Sequence, residues 1–418
     1  MRNLYTLILY LLAPVVVARL YLRSLRAPAY RHRIRERFGR VEPVAGDGAI
    51  WIHAVSVGET QAAVPLIRAL RERVPQRPIV VTTTTPTGSD RVRETLGSAV
   101  THYYLPYDLP GALRRFMNAV RPCLLVIMET EIWPNLFHAC EARHVALVLA
   151  NARLSLASVR GYARFRPLVA RTLSRANLIC AQSDADAERF RALGAPSDRV
   201  CALGSIKFDL SIPSAAVTEG ADLRRLLGND RQVWIAASTH EGEEVQVLKA
   251  FERVRKRVAD CLLILVPRHP ERFDSVAELC ASRGWRTVRR SEGAIPIGCD
   301  VYLGDSMGEL IILFAASDVA FVGGSLVPIG GHNVLEPAAL GRPVQFGPYT
   351  FSSEAAADSL LQAGGGCRIR DAGELAESTA ELLLDPERRA RMGNAARETV
   401  QANRGALQRL LEALDGFL

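Results

Sequence analysis

The chain has 418 residues, of which 49% are hydrophobic and 23% are charged. This composition is typical of globular proteins and excludes a wholly disordered chain, a collagen and a protein with many membrane spans. The length predicts two domains, each large enough to bury its own core.

The excess positive charge is confined to the N-terminus. The chain has 52 Lys+Arg and 44 Asp+Glu, a net charge of +8. Residues 1–40 contain nine arginines, no lysine and one acid, Glu36, and therefore carry the whole excess, 9 − 1 = +8. Because residues 41–418 are neutral overall, we expect no nucleic-acid partner, which would require a basic surface.

An uncharged, mostly apolar segment occupies residues 3–18, between Arg2 and Arg19. As a helix it extends about 24 Å, short of a bilayer core of about 30 Å, and extension to Leu22 makes a span feasible. Pro14 predicts a kink in this helix.

Three interpretations of this segment compete. The arginines that follow oppose export and disfavour a cleaved secretory signal, and they also suit a buried helix of a soluble domain poorly. An uncleaved membrane anchor over residues 1–22, spanning or lying in the interface, is favoured because its basic flank can bind anionic lipid. The positive-inside rule then places residues 23–418 in the cytosol.

The cysteines and histidines form no recognisable metal or redox motif. The eight cysteines include no C-x-x-C pair and are predicted to be free thiols in a reducing compartment, several of them buried. The dinucleotide-binding G-x-G-x-x-G, the Walker motif and the nucleophile elbow are also missing, so we expect neither a metal nor a cofactor.

Apolar runs of strand length alternate with longer helical stretches in both halves of the chain, which predicts an α/β fold with parallel sheets covered on both faces. The first half contains six such runs: Ile50–Val55, Ile79–Thr83, Leu124–Met128, Ala146–Ala150, Leu178–Ala181 and Val200–Leu203. The second half contains five: Val233–Ala237, Leu262–Val266, Val301–Leu303, Val319–Val322 and Pro343–Phe346.

The two halves open alike, each with a strand, a turn of small residues, an acid and a helix. Trp51–Glu59 and Trp234–Glu243 show this pattern, and residues 209–230, without a strand, are predicted to be a linker. We expect two doubly wound domains, over residues 23–208 and 231–418, which face a central cleft where ligands bind at the carboxyl ends of strands.

Glu59 follows the first of these strands, in Ser56-Val-Gly-Glu-Thr60. A carboxylate at this position can take a proton from an incoming hydroxyl group. Ser56 and Glu59 also have the spacing of a capping box, and the local sequence by itself favours that structural role.

Two acids, Glu129 and Glu131, follow the strand that ends at Met128. They can pair with cationic groups or bind substrate hydroxyls. Alternatively, they are first-turn acids favoured by the dipole of a helix that starts near Pro134. The sequence favours neither interpretation.

Arg268, in Pro267-Arg-His-Pro-Glu-Arg272, ends a strand with a planar donor fork suited to phosphate. A solvated surface arginine is the alternative, and the position favours a functional role.

The densest group of glycines and polar residues lies in 304–309 and 323–337. The glycines allow the backbone to approach a ligand closely and are expected to leave their N–H groups exposed to it. A helix starting near Asn333 would direct its positive end at a phosphate, and Glu336 can accept hydrogen bonds from a ribose diol. This segment favours a binding function over a plain loop.

Together with Asn151–Ser155 and Gly204–Asp209, these segments in their order resemble the 3-deoxy-D-manno-octulosonic acid (Kdo) transferases. The resemblance covers nearly the whole chain, including the apolar N-terminus and Ala27–Arg31. Its most specific pieces are His53–Glu59, Met128–Asn135 and Gly330–Pro337.

The resemblance implies a GT-B glycosyltransferase that transfers Kdo from CMP-Kdo to a lipid A precursor with inversion, without a metal. It makes Glu59 the general base and assigns transition-state stabilisation to Glu129 and Lys207. The contacts to CMP are implied for Pro267, Arg268, Met307, Gly308, Glu309, Asn333, Val334, Leu335 and Glu336.

The resemblance also implies attachment to the cytoplasmic face of the bacterial inner membrane, and it allows the last helix to pack back on the N-terminal, acceptor-binding domain. Two alternatives remain: a GT-B enzyme with another sugar nucleotide and membrane-bound acceptor, and a nonenzymatic nucleotide- or lipid-binding protein.

Overall fold

The computed structural model describes residues 1–26, 28–293 and 298–418. Ala27, which belongs to the motif after the apolar segment, lies outside the described residues. The chain forms two compact units, the first made of residues 1–209 and 404–418 and the second of residues 210–403.

The first unit contains a parallel sheet of seven strands, in the order β3-β2-β1-β4-β5-β6-β7. The strands are β1 (Ala49–His53), β2 (Ile79–Thr83), β3 (Thr101–Tyr104), β4 (Pro122–Met128), β5 (Ala146–Ala152), β6 (Leu178–Ala181) and β7 (Val200–Ala202).

In the described part of the first unit, nine α-helices precede, connect or follow these strands. They are α1 (Arg2–Arg26), α2 (Val57–Arg73), α3 (Pro86–Leu96), α4 (Pro110–Val120), α5 (Pro134–Ala142), α6 (Leu156–Ala163), α7 (Arg166–Leu173), α8 (Asp184–Ala192) and, from the C-terminus, α17 (Ala406–Leu414).

The second unit repeats the arrangement with the order β10-β11-β9-β8-β12-β13-β14, again all parallel in the part of the unit that is described. Its strands are β8 (Val233–Thr239), β9 (Leu262–Pro267), β10 (Thr287–Arg289), β11 (Val301–Leu303), β12 (Val319–Val322), β13 (Val344–Phe346) and β14 (Gly366–Arg368).

The helices of the second unit lie between these strands and after them. They are α9 (Ser214–Leu227), α10 (Glu243–Arg257), α11 (Phe273–Ser282), α12 (Leu310–Ala315), α13 (Leu335–Ala339), α14 (Glu354–Gln362), α15 (Ala372–Leu384) and α16 (Pro386–Ala402).

Each sheet is covered on both faces, because successive side chains of its central strands enter two different hydrophobic clusters. In β1, Ile50 and Ile52 join one cluster and Trp51 joins the other. In β8, Trp234 joins one hydrophobic cluster of the second unit and Ile235 joins the other. Side chains of a strand alternate between faces, so continuous apolar strands require this double cover. The α/β fold with parallel sheets predicted from the sequence is confirmed.

Residues 209–230, predicted to be a linker, contain helix α9, and its side chains Leu223 and Leu227 lie in a core cluster of the second unit. Gly220 allows the close packing, since a Cβ there would lie 2.4 Å from the Ala315 Cβ. The last helix, α17, belongs to the first unit, where Leu414 is fully buried.

Candidate active site

Glu59 lies in the first turn of α2, after the interior strand β1. The Ser56 hydroxyl caps the helix by accepting a hydrogen bond from the Glu59 N–H at 3.3 Å. The Glu59 carboxylate accepts from the Val55 N–H at 2.7 Å and from the Ser56 hydroxyl at 3.1 Å. The capping role that the local sequence favours is therefore present, at the carboxyl end of a strand.

The environment of Glu59 favours its protonated form. Burial raises the pKa of this carboxyl group to about 7, the hydrogen bonds from Val55 and Ser56 oppose the rise, and the negative charges of Glu129 and Glu131 add to it. A carboxyl group with a pKa near neutrality can accept or release a proton at pH 7, as a general acid or base must.

Glu129 follows β4 with a φ of 57°, in the left-handed region that residues other than glycine rarely occupy. Its N–H donates to the Ala150 carbonyl at 2.9 Å. Lys207 Nζ donates to Glu129 Oε1 at 2.8 Å, and Arg153 Nε lies 3.9 Å from Oε2. A backbone conformation held in this way is common at functional sites.

The two acids after β4 are not first-turn acids, because α5 begins at Pro134 and has no acidic residue in its first turn. Instead, Glu129 pairs with cationic groups, and burial raises the pKa of Glu131. Strands β1 and β4 are neighbours. The first unit thus brings Glu59, Glu129 and Lys207 together at the carboxyl edge of its sheet.

In the second unit, Arg268 directly follows β9, whose last residue is Pro267. Its N–H donates to the Thr239 carbonyl at 2.9 Å. The side chain is half-buried, and within the described ranges no hydrogen bond or ion pair engages its guanidinium. An arginine with unused donors at the end of a strand can bind a phosphate group.

Three histidines surround this end of the sheet. His240 Nε2 and His332 Nε2 lie 2.7 Å apart, with their rings nearly parallel, and the His269 ring is edge-on to His240 at 5.2 Å. Burial, together with nearby Arg268, lowers the pKa of His332 to about 4 and lowers that of His240 as well. Both rings are neutral near pH 7, so one N–H donates to the other ring nitrogen.

A buried carboxylate, Glu243, holds the glycine-rich loop after β12. Its Oε2 accepts hydrogen bonds from the Gly324 N–H at 2.6 Å and the His240 N–H at 2.9 Å. Its Oε1 accepts from the Ser325 N–H at 3.0 Å and the Leu326 N–H at 2.8 Å. Glu243 is the first residue of α10 and is fully buried. One side chain therefore fixes the backbone of a loop about 80 residues away in sequence.

The expectation that the glycine pairs of this loop free their N–H groups is wrong. The Gly323 N–H donates to the Ala237 carbonyl at 2.8 Å, and the N–H groups of Gly330 and Gly331 donate to the Gly324 carbonyl at 3.1 and 2.7 Å. The glycines serve the conformation of the loop instead, since Gly324, Gly330 and Gly331 have φ values of 68°, 115° and 75°.

Residues 307–309 form a turn after β11. Met307 is 62% exposed, and Gly308 has a φ of 84°. Glu309 accepts two hydrogen bonds from Arg290, at 2.7 Å to Oε1 and 3.2 Å to Oε2, which lower its pKa. Glu309 immediately precedes α12, which packs against α13.

The helix expected near Asn333 is α13, which starts at Leu335 and has five residues. Asn333 Oδ1 accepts from the Leu335 N–H at 3.1 Å, and its Nδ2 donates to Glu336 Oε1 at 3.0 Å. Val334 and Leu335 are 1% and 2% exposed. Their side chains belong to the core, which leaves Asn333 as the exposed polar group of this segment.

Several polar residues at these two edges were not singled out from the sequence. Glu243 occupies the place of Glu59 in the second of the two similar strand–turn–helix openings, and that similarity was the available signal. Arg153 and His240 lie within segments that the sequence analysis used, Asn151–Ser155 and Trp234–Glu243, but neither residue was given a role, and Arg290 carried no signal. Within the part of the chain that is described, no group of three or more His, Cys, Asp or Glu is arranged to hold a metal ion.

The chain is similar over its whole length to proteins described as transferases. It is 43% identical to the 3-deoxy-D-manno-octulosonic acid transferase of Haemophilus influenzae, over 100% of this chain and 99% of that protein. The chain belongs to the Kdo transferase family. The enzyme of the same description from Bordetella pertussis is 38% identical over 100% of this chain and 99% of its own. A family model described as 3-Deoxy-D-manno-octulosonic-acid transferase (kdotransferase) matches residues 32–210.

Membership of the family identifies the chain as a glycosyltransferase that transfers Kdo. Solved structures support the fold independently. A glycosyltransferase from Rickettsia africae superimposes with a TM-score of 0.57, covering 89% of this chain and 99% of its own at 13% identity. The predicted GT-B type of fold is confirmed by such neighbours.

Proposed function

We propose that the chain transfers Kdo from CMP-Kdo to a hydroxyl group of a lipid A precursor, with inversion and release of CMP. The observation that carries the proposal is the environment of Glu59. Partial burial raises the pKa of this half-buried carboxyl group to about 7, and the group lies beside the ion pair of Glu129 and Lys207. The arrangement fits a reaction that starts with the removal of a proton from an alcohol.

In the proposed reaction, Glu59 accepts the proton of the acceptor hydroxyl as its oxygen attacks the anomeric carbon of Kdo. A bond forms between that oxygen and the anomeric carbon, and the bond from this carbon to the phosphate oxygen breaks. The electron pair of the broken bond leaves with CMP. Attack on the face opposite the leaving group inverts the anomeric centre.

The departing phosphate and the sugar carboxylate are negative, so cations stabilise them as the bond breaks. We assign this role to Lys207, which Glu129 holds by a 2.8 Å hydrogen bond, and to Arg268. We assign CMP binding to Pro267, Arg268, Met307–Glu309 and Asn333–Glu336. The exposed Asn333 side chain and the Met307–Gly308 turn are the parts of these segments most open to a ligand.

We place the enzyme on the cytoplasmic face of the bacterial inner membrane, in lipopolysaccharide synthesis. The described residues include one helix, Arg2–Leu25, that is long and apolar enough to reach across a membrane by length and composition. Arginines follow its apolar part, and such flanks favour the cytosolic side and anionic lipid. Domain roles follow from these assignments: the first unit binds the acceptor and the second binds the nucleotide.

The test is incubation of the wild type and Glu59→Ala with CMP-Kdo and a lipid A precursor, followed by mass spectrometry of the lipid. We expect the wild type to add Kdo and release CMP. Glu59→Ala should lose transfer while retaining CMP-Kdo binding, measured by calorimetry. Glu72→Ala, an exposed residue on the same helix, is the control and should keep full activity.

Equal transfer by the wild type and Glu59→Ala would refute the assignment of the base. A competition experiment tests the donor, because we expect CMP to inhibit transfer and UDP and GDP to have little effect. Inhibition by another nucleotide instead of CMP would show that the enzyme uses a different sugar nucleotide.

A further inference from the structure

Among the described residues, the less exposed side chains of helix α1 lie along one side of the helix, where it packs on the rest of the first unit. Its less exposed residues recur every three or four positions from one end to the other, which is the spacing of one helix face. They are Arg2, Tyr5, Thr6, Leu9, Ala13, Val17, Leu20 and Ser24.

Hydrogen bonds attach the beginning of α1 to the globular part of the unit. The Tyr5 hydroxyl donates to Asp108 Oδ2 at 3.0 Å, and the Thr6 hydroxyl donates to Asn135 Oδ1 at 3.0 Å. Arg2 Nη1 donates to the same Asn135 oxygen at 3.5 Å. Asp108 and Asn135 are buried, so these contacts reach into the body of the unit.

The chain that follows α1 is fixed to the same unit. Arg33 Nη2 donates to the His102 carbonyl at 2.6 Å, and Arg37 Nη2, on a buried side chain, donates to the Thr84 carbonyl at 2.9 Å. A 25-residue helix is about 37 Å long. If α1 crossed a bilayer, its ends would be separated by a core about 30 Å thick, and the contacts at its beginning would have to break.

The opposite side of α1 is apolar and exposed. Leu4, Leu7, Leu11, Val15 and Leu22 are 56–69% exposed, and they share one face of the helix. Five arginines on and after the helix are also exposed: Arg19, Arg23, Arg31, Arg35 and Arg40. An apolar face with neighbouring cations matches the boundary between acyl chains and anionic headgroups.

We propose that α1 lies in the plane of the membrane surface and does not span the bilayer. Its exposed face enters the interfacial zone of an anionic bilayer, its other face stays on the first unit, and both ends remain on one side. This proposal rests on the membrane location in the proposed function and specifies its geometry.

The topology can be read from the full-length enzyme carrying a protease-cleavable tag before Met1 and a second tag after Leu418. The protein is added to preformed vesicles of phosphatidylethanolamine and phosphatidylglycerol, and protease is then added outside. We expect both tags to be cleaved without detergent. Cleavage of the C-terminal tag with protection of the N-terminal tag would show a spanning helix and overturn the proposal.

The lipid-facing side is tested with Leu7→Asp/Leu11→Asp, whose substitutions lie on exposed positions and should not disturb the core. We expect vesicle binding in flotation assays to fall by about tenfold or more, since two apolar anchors are replaced by charges that anionic lipid repels. The exposed substitution Glu72→Asp is the control and should bind like the wild type. Unchanged binding by the double variant would refute the assignment of this face.

Two further measurements separate the possible failures. Light scattering of the wild type and the double variant tests whether the exposed face instead joins two copies of the chain, and a loss of dimer with unchanged vesicle binding would overturn the proposal. Transfer to a detergent-solubilised acceptor should be the same in both proteins. If that transfer is absent from the wild type, the proposed function fails, whatever the topology.

Discussion

The pKa of Glu59 leads to a quantitative prediction for the pH dependence of transfer. If Glu59 is the general base, kcat/KM follows its ionised fraction. With a pKa of about 7, that fraction falls about tenfold from pH 8 to pH 6, whereas a glutamate with an ordinary pKa of about 4.3 would stay ionised throughout. We therefore expect kcat/KM to fall on the acidic side of its pH profile, and we expect this acidic limb to have its midpoint near pH 7.

Two substitutions should move this limb in opposite directions. Ser56→Ala removes a hydrogen bond that favours the Glu59 carboxylate, so the limb should move to higher pH. Glu129→Gln removes a negative charge that opposes ionisation of Glu59 and frees the positive charge of Lys207, so the limb should move to lower pH. The absolute rate of Glu129→Gln should also fall, but the position of its limb is the quantity of interest.

The assay is the initial rate of Kdo transfer at low substrate concentration across this pH range, with Glu72→Gln as a control that should keep the limb of the wild type. Ser56→Ala also removes a helix cap worth about 1 kcal/mol, so thermal unfolding must show that the variant remains folded under assay conditions. A wild-type limb below pH 5.5, or shifts of the same sign in both variants, would refute the reasoning.

Two further predictions concern the second unit. Glu243→Gln places a carboxamide N–H₂ group opposite backbone N–H groups that the carboxylate accepts from in the wild type. We therefore expect the unfolding free energy, measured by calorimetry, to fall by about 3 kcal/mol and the KM for the sugar nucleotide to rise. The substitution Glu241→Gln, at an exposed position, is the control and should change neither quantity. Arg268→Lys loses the planar donor fork, so CMP affinity should fall about tenfold by calorimetry, whereas the exposed Arg283→Lys should match the wild type. Unchanged CMP binding by Arg268→Lys would remove this residue from the nucleotide site.

The sequence predicted the central strands of both sheets well and missed three of the outer ones. The predicted runs all correspond to strands, but β3, β10 and β14, which lie at sheet edges, were not found. These strands have three or four residues and are mostly half-buried. An edge strand covers less apolar surface, so its composition does not produce a continuous apolar run.

The sequence predicted a site residue where a charged side chain directly follows an apolar run. Glu59, Glu129 and Arg268 were singled out because each follows an apolar run, and the structure places each at the carboxyl end of a strand. The partners of these residues were not predictable. The pairing of Glu129 with Lys207, 78 residues later, depends on the order of strands in the sheet.

The amino-acid sequence by itself determined the α/β class, the central strands, the basic and apolar N-terminus and the motifs of the Kdo transferase family, because each is a local pattern of polarity and spacing. Tertiary structure alone decided that the Glu243 carboxylate accepts hydrogen bonds from backbone N–H groups of the loop after β12. It alone also decided that one face of α1 is attached to the first unit. Hydrogen bonds between residues far apart in the chain leave no periodic signal, so only the folded arrangement shows which polar groups remain free to bind a ligand.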